Sequence, residues 1–310
     1  MEIPPRLRWK LDRFHEKMSG LFGQGRKENA RPKLCPACGT LVGATATRCH
    51  QCGASVTFGM AAASRSLSGL LPTTSPATYG ILTLSCLLYG LSLLATIRAG
   101  ALQAPGGGGL GALMGLGGIS AAVLRDLGAS LPWPYDLIQP WRLIMATFLH
   151  GGLLHIGFNM WVLMDIGPQV EELYGSGRYL FMYVVSGIGA YLLSSLVGHF
   201  SVGASGSLLG LIGVLLAITT NRRSAAMQMM RSQLIKWLIY IGIMGFLMSG
   251  IDNFAHLGGL IAGFVLGKIM ADRAPASPEE RTRANLLGWT SAVLIAASLG
   301  MVVFGVLSHG

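Results

Sequence analysis

Seven apolar segments, each long enough or nearly long enough to cross a hydrocarbon core of about 30 Å, decide what this chain can fold into. They run approximately over residues 79–97, 143–166, 179–197, 204–220, 234–250, 254–270 and 286–307. In lipid every backbone amide and carbonyl must find its partner within the protein, so such segments imply helices, and the fold class is an all-α polytopic membrane protein. Composition agrees: of 310 residues, 52% are hydrophobic and 12% charged, far from the balance of a soluble domain. The net charge of +10 sits in short tracts between the apolar runs. It therefore speaks of membrane topology, and no nucleic-acid partner is expected.

The stretch from Gly106 to Leu124, between the first two segments, is apolar but broken by glycines, and reads as a loop in or on the outer leaflet. Topology tests that choice. Basic residues cluster before Tyr79, around Arg222, Arg223, Arg231 and Lys236, and again at Lys268, Arg273, Arg281 and Arg283. With seven spans all of these tracts fall on one side, as the positive-inside rule requires. The expectation is a multi-pass protein of the cell membrane with a cytosolic N-terminus and an outside C-terminus.

Ahead of the spans, residues 1–30 place Leu7, Leu11, Phe14, Met18 and Leu21 at helical spacing among basic residues. This arm either docks on an anionic bilayer surface or is an exposed helix, and the pattern leaves both open. Residues 33–54 hold two C-x-x-C pairs, Cys35 with Cys38 and Cys49 with Cys52, each pair followed by glycine. That spacing brings four thiolates around one tetrahedral ion, so the segment reads as a zinc-ribbon-like module with a structural Zn2+. A pair of disulfides is disfavoured for a cytosolic segment, and His50 is a lesser ligand candidate. With few basic residues and no aromatic in 33–53, the module suits a protein partner or a structural clip better than nucleic acid. Residues 55–78, rich in Ser, Thr, Ala, Gly and Pro, read as a flexible linker. The first apolar run long enough for a signal sequence begins only near Tyr79, so no cleavable signal is expected. Cys86, alone in the first span, reads as a small buried hydrophobe.

Strongly polar groups inside spans are costly and ask for a reason. Here they are His150, His155, Asn159, Ser205, Asp252, Asn253 and His256. Ser205 and His256 stand near the starts of the fourth and sixth segments, on the same side and at similar depth. Ser205 lies in Gly203-Ala204-Ser205-Gly206, where glycines permit a tight turn and a helix N-terminus offers free amides to an oxyanion. Gly206 and Gly210 on one helix, and Gly259 and Gly263 on the other, form small-residue faces that would let a Ser–His hydrogen bond form between neighbours. His150, Asn159 and the Ser205 amide are the candidate oxyanion donors, and His155, Gly203, Gly206 and Gly259 support them. Asp252, four residues before His256, either orients it or, the preferred reading, is a loop carboxylate at the membrane surface.

Trp141-Arg142, H-x4-H-x3-N from His150, G-x-S-G around Ser205 and A-H-x-x-G-x-x-x-G from Ala255 occur in that order on the appropriate spans. Together they resemble the rhomboid family of intramembrane serine proteases. The resemblance covers residues 79–270, implying a six-helix protease core, with residues 271–310 as a loop and one extra C-terminal transmembrane helix. It implies Ser205 and His256 as a catalytic dyad that needs no cofactor, and single-span membrane proteins as substrates, cut near the outer face. Glu171 and Arg178 resemble the family's polar turn after the second span, a structural feature. One departure is Leu209, where many relatives carry an aromatic ring against which the histidine packs. Two other classes of function compete: a catalytically silent membrane-protein chaperone of the same fold, and a transporter. Transport would need polar groups through the full depth of the membrane, and here they gather on one side.

Overall fold

The computed structural model describes residues 33–34, 40–43, 46, 49–51, 75–101, 118–221, 224–247 and 250–309. The chain divides into two compact units, Met1–Leu70 and Leu71–Gly310. In the first, β1 (Lys33–Leu34) pairs antiparallel with β2 (Leu41–Val42). Val42 and Cys49 are buried against each other there. The amphipathic arm of residues 1–30, residues 55–74 of the linker read over 55–78, and Cys35, Cys38 and Cys52 lie outside the described residues.

The second unit is helical. Seven of its helices have 17 residues or more: α1 (Pro76–Arg98), α5 (Leu153–Tyr174), α6 (Ser176–Leu196), α7 (Ser205–Asn221), α8 (Ala225–Leu247), α9 (Asn253–Ile269) and α10 (Pro278–His309). Three short helices, α2 (Ala121–Asp126), α3 (Tyr135–Ile138) and α4 (Arg142–Met145), lie in the connection between α1 and α5. Pro76–Arg98, Ser176–Leu196 and Pro278–Ser308 are long and apolar enough to cross a membrane. The apolar stretches Ser205–Thr220 and Asn253–Ile269 are shorter. Helices α5 and α8 have the length, but carry Asp165, Glu171 and Glu172, and Arg231 and Lys236.

Segment boundaries differ from those read in the sequence: α1 begins at Pro76 and α10 at Pro278, ahead of the expected 79 and 286. The apolar run expected to open the second span at residue 143 forms only the short α4 and a loop: Leu143, Met145, Ala146, Phe148 and Leu149 are buried in the protein, and the long helix α5 begins at Leu153. Hydropathy does not distinguish a segment buried against protein from one facing lipid. Helix α8 begins at Ala225, not 234, because Arg231 and Lys236 occupy exposed positions, where long side chains carry their charge outward without breaking the helix. Cys86 is exposed on α1 beside Leu87 and Leu91, not buried. The outward faces of α1, α8 and α10 are apolar as well, with Phe246, Trp289 and Phe304 exposed.

The core is a parallel pair, α7 and α9, crossed antiparallel by α6. Added Cβ atoms on Gly259 and Gly263 would each overlap a backbone carbonyl of α7, that of Gly206 and that of Gly210, and Gly267 repeats the pattern against Val214. The successive four-residue steps match on both helices, so the pair is in register and in van der Waals contact along its backbones. Across the other side, Gly206 packs on Ala190 and Gly210 on Ser186 of α6.

Glu171 ties α1 to this frame. Ser75 makes no side-chain cap at the start of α1. The buried Glu171 carboxylate accepts instead from the Ala77 amide at 2.9 Å, the Thr78 amide at 2.8 Å and the Thr78 hydroxyl at 2.7 Å. A negative charge on free amides at a helix N-terminus is the favourable arrangement. The same carboxylate accepts from Ser176 at 2.6 Å, which fixes the α5–α6 turn. Arg142 does similar work at the opposite end: its guanidinium lies over the Trp141 ring and donates to the Arg125 carbonyl at 2.6 Å and the Ala129 carbonyl at 3.2 Å.

Candidate active site

Ser205 is the first residue of α7, and His256 lies in the first turn of the parallel helix α9. Because the glycine faces bring those helices into backbone contact, the two side chains meet: His256 Nε2 stands 3.0 Å from Ser205 Oγ. Both residues are half-buried. The first amides of a helix have no intrahelical acceptor, so α7 presents free N–H groups beside Ser205 Oγ.

The turn entering α7 is built from buried backbone. Gly203 has φ +132°, a conformation open to glycine and strained for other residues. A Cβ there would also stand 2.6 Å from His155 Nε2. Its amide donates to the Ala146 carbonyl at 2.9 Å, and its carbonyl accepts from the Tyr191 hydroxyl. The next amide, of Ala204, donates to His150 Nε2 at 3.4 Å.

His150 is fully buried and sits on the loop before α5. Its ring meets that of His155 edge-on at a centroid distance of 5.2 Å, and His155 Nδ1 accepts from the Gly151 amide at 3.4 Å. The two histidines thus brace the Gly203 turn from one side. Asn159, one turn further along α5, donates from Nδ2 to the His155 carbonyl at 2.8 Å, which leaves its second N–H for another acceptor. Gly206 and Gly259 face each other in the α7–α9 contact.

Asp252 is the N-cap of α9. Its Oδ1 accepts from the Phe254 and Ala255 amides at 3.0 and 3.1 Å and pairs with His199 Nδ1 at 3.1 Å, while Oδ2 accepts from the Ser194 hydroxyl. Burial pushes this carboxyl up, but hydrogen bonds from Ser194, the Ala255 amide, His199 and Ser201 outweigh it and hold the group below its ordinary value of 3.8. Asp252 is therefore neither a free loop carboxylate nor a third member of the Ser–His pair. His256 Nδ1 has no hydrogen-bond partner among the described residues.

The polar residues singled out in the sequence thus gather at one end of the bundle. Tyr191 and Ser194 were not among them. Both are polar side chains three apart on one face of an apolar helix, which is the signal that could have marked them.

The four cysteines are a separate matter. Cys49 is buried, and its Sγ accepts from the Gln51 amide at 3.4 Å, the backbone-to-sulfur bond that a C-x-x-C turn makes. No group of three or more His, Cys, Asp or Glu suited to a metal occurs among the described residues, which exclude Cys35, Cys38 and Cys52.

Residues 138–273 match the Rhomboid domain. The matched stretch holds every residue of the Ser205 cluster and helices α5 to α9. Among curated proteins, this chain is 35% identical over 203 residues to RHOMBOID-like protein 6, mitochondrial, of Arabidopsis thaliana, covering 59% of this chain and 66% of the relative. It is 34% identical over 169 residues to Rhomboid protease GluP of Bacillus subtilis, covering 54% of this chain and 32% of the relative. With Rhomboid-like protease 2 of Toxoplasma gondii it shares 33% identity over 181 residues, or 55% and 61% of the two chains. The chain spans between about a third and two thirds of the length of these relatives. The Rhomboid-domain match and the apolar helices make this a multi-pass membrane protein.

Proposed function

We propose that this rhomboid protein is a serine endopeptidase that cuts transmembrane segments of other membrane proteins by a Ser205–His256 dyad. The observation that carries the reading is the 3.0 Å contact between His256 Nε2 and Ser205 Oγ at a helix N-terminus. Ser205 Oγ attacks the peptide carbonyl carbon while its proton passes to His256 Nε2. The tetrahedral oxyanion takes hydrogen bonds from the Ser205 amide, the second N–H of Asn159 and His150. For His150 to donate through Nε2, that nitrogen must carry the proton and release the Ala204 amide. Collapse expels the amine, which leaves with the proton from His256; water, deprotonated by the same ring, then hydrolyses the acyl-enzyme. No step calls on a cofactor.

The orientation we propose is N-terminus cytosolic and C-terminus outside, with the Ser205 cluster toward the outer face and seven membrane-crossing helices, six in the core and α10 in addition. Its support is that Lys268, Arg273, Arg281 and Arg283 lie at the end of the bundle opposite Ser205. We further propose that Cys35, Cys38, Cys49 and Cys52 hold one Zn2+ in a ribbon that serves a protein partner or clips the N-terminal region. Supporting this are the β1–β2 hairpin flanking the first pair and the amide bond to Cys49 Sγ.

Two experiments test these readings. A fluorophosphonate is expected to label the purified chain in detergent, and the Ser205→Ala variant is expected not to react. Equal labelling of both would sink the catalytic assignment, and no labelling of either would favour the silent chaperone. Metal analysis should find one zinc per chain, absent from a Cys35→Ser/Cys38→Ser double variant whose cleavage rate is unchanged.

A further inference from the structure

No third residue among the described ones hydrogen-bonds His256 Nδ1, and the position one turn after Ser205 is the aliphatic Leu209. The placement of the dyad therefore falls to backbone, and the backbone on both sides is held by one helix. Tyr191 of α6, almost completely buried, donates its hydroxyl to the Gly203 carbonyl in the turn that delivers Ser205. Ser194, three residues on and fully buried, donates to Asp252 Oδ2, the cap of the helix that delivers His256. Residues three apart on a helix are neighbours on one face, about 5–6 Å between Cβ atoms.

We propose that Tyr191 and Ser194 are positioning residues that register the two halves of the dyad against one rigid edge of α6. The proposal rests on the dyad reading above and adds to it how the 3.0 Å approach is kept. Each tie is made to an atom that cannot move without its half of the site. The Gly203 carbonyl is followed directly by Ala204 and Ser205, and Asp252 Oδ1 holds the Phe254 and Ala255 amides immediately before His256. Tyr191 and Ser194 are both buried, so neither is open to substrate. Losing a tie lets one half drift relative to the other, which slows acylation without changing how substrate is held.

The test uses the full chain purified in detergent, with the rate of fluorophosphonate labelling, kcat and KM for a single-span model substrate, and melting temperature. Tyr191→Phe and Ser194→Ala are each expected to slow labelling and kcat by about tenfold or more, with KM within about twofold of the parent. Ser194→Thr keeps the hydroxyl and should restore most of the rate. The double variant should be slower by less than the product of the single effects, because both ties serve one registration. Ser298→Ala is the control: Ser298 is also buried, but its hydroxyl donates to the Leu294 carbonyl of its own helix, and its variant should label at the parent rate. Parent-rate labelling by folded Tyr191→Phe and Ser194→Ala, or an equal loss in Ser298→Ala, overturns the proposal while leaving the dyad intact. Loss of Ser205-dependent labelling in the parent chain would instead overturn the reading it rests on. Should Tyr191→Phe not fold, the Ser194→Ala and Ser194→Thr pair decides alone.

Discussion

Substituting Gly263 by alanine adds one methyl group two turns along α9 from His256, where it touches no reacting atom. The Gly210 Cα would stand 2.6 Å from the new Cβ, and the Gly210 carbonyl carbon and oxygen closer still. Ordinary carbon–carbon contact begins near 3.5 Å, so α7 and α9 must part by roughly 1 Å, since backbone on both sides cannot rotate away. A contact of 3.0 Å between His256 Nε2 and Ser205 Oγ would then open toward about 4 Å, beyond hydrogen-bonding range. A 1 Å misplacement of catalytic groups is worth about 100-fold in rate, and the overpacking itself costs about 1–3 kcal/mol of stability. The assay is cleavage of a single-span substrate in proteoliposomes, below the melting temperature of both proteins, with Gly300→Ala as control. Nothing lies within 4 Å of a Cβ on Gly300, so that variant should cleave at the parent rate. A Gly263→Ala protein that cleaves as fast as Gly300→Ala would refute the argument that the glycine faces set the Ser–His distance.

Glu171→Gln replaces an acceptor of four hydrogen bonds by a group with one oxygen and two donors, leaving buried N–H and O–H groups facing an NH2. It should lower stability by about 1–3 kcal/mol per donor left unsatisfied, read as melting temperature, while the cleavage rate of the folded fraction holds. Asp252 predicts an acid limb in stability. Its folded value is depressed, so its contribution is complete above the ordinary value of 3.8 and is lost as pH falls through the lower folded value. Asp252→Asn should flatten the melting temperature across that acid window; an unchanged slope would count against the cap.

Helical structure in the second unit follows from sequence, because apolar runs in lipid leave the backbone no other partner. Sequence also determined which helices can touch, because Gly206, Gly210, Gly259 and Gly263 lack the side chains that would hold them apart. Ser205, His256, His150 and Asn159 stood out in the sequence as polar groups in apolar segments, and the packing of α7 on α9 sets the first two 3.0 Å apart. Tertiary structure alone decided that the run from Leu143 to Leu149 is protein core, since apolarity is the same whether neighbours are side chains or lipid. It decided too that Asp252 caps α9, and that Glu171 caps α1 from a helix more than ninety residues away in the chain. Tyr191 and Ser194 acquired their partners only when α6 was laid across α7 and α9. Such hydrogen bonds join atoms that local sequence leaves far apart, and packing of the helices is what brings donor to acceptor.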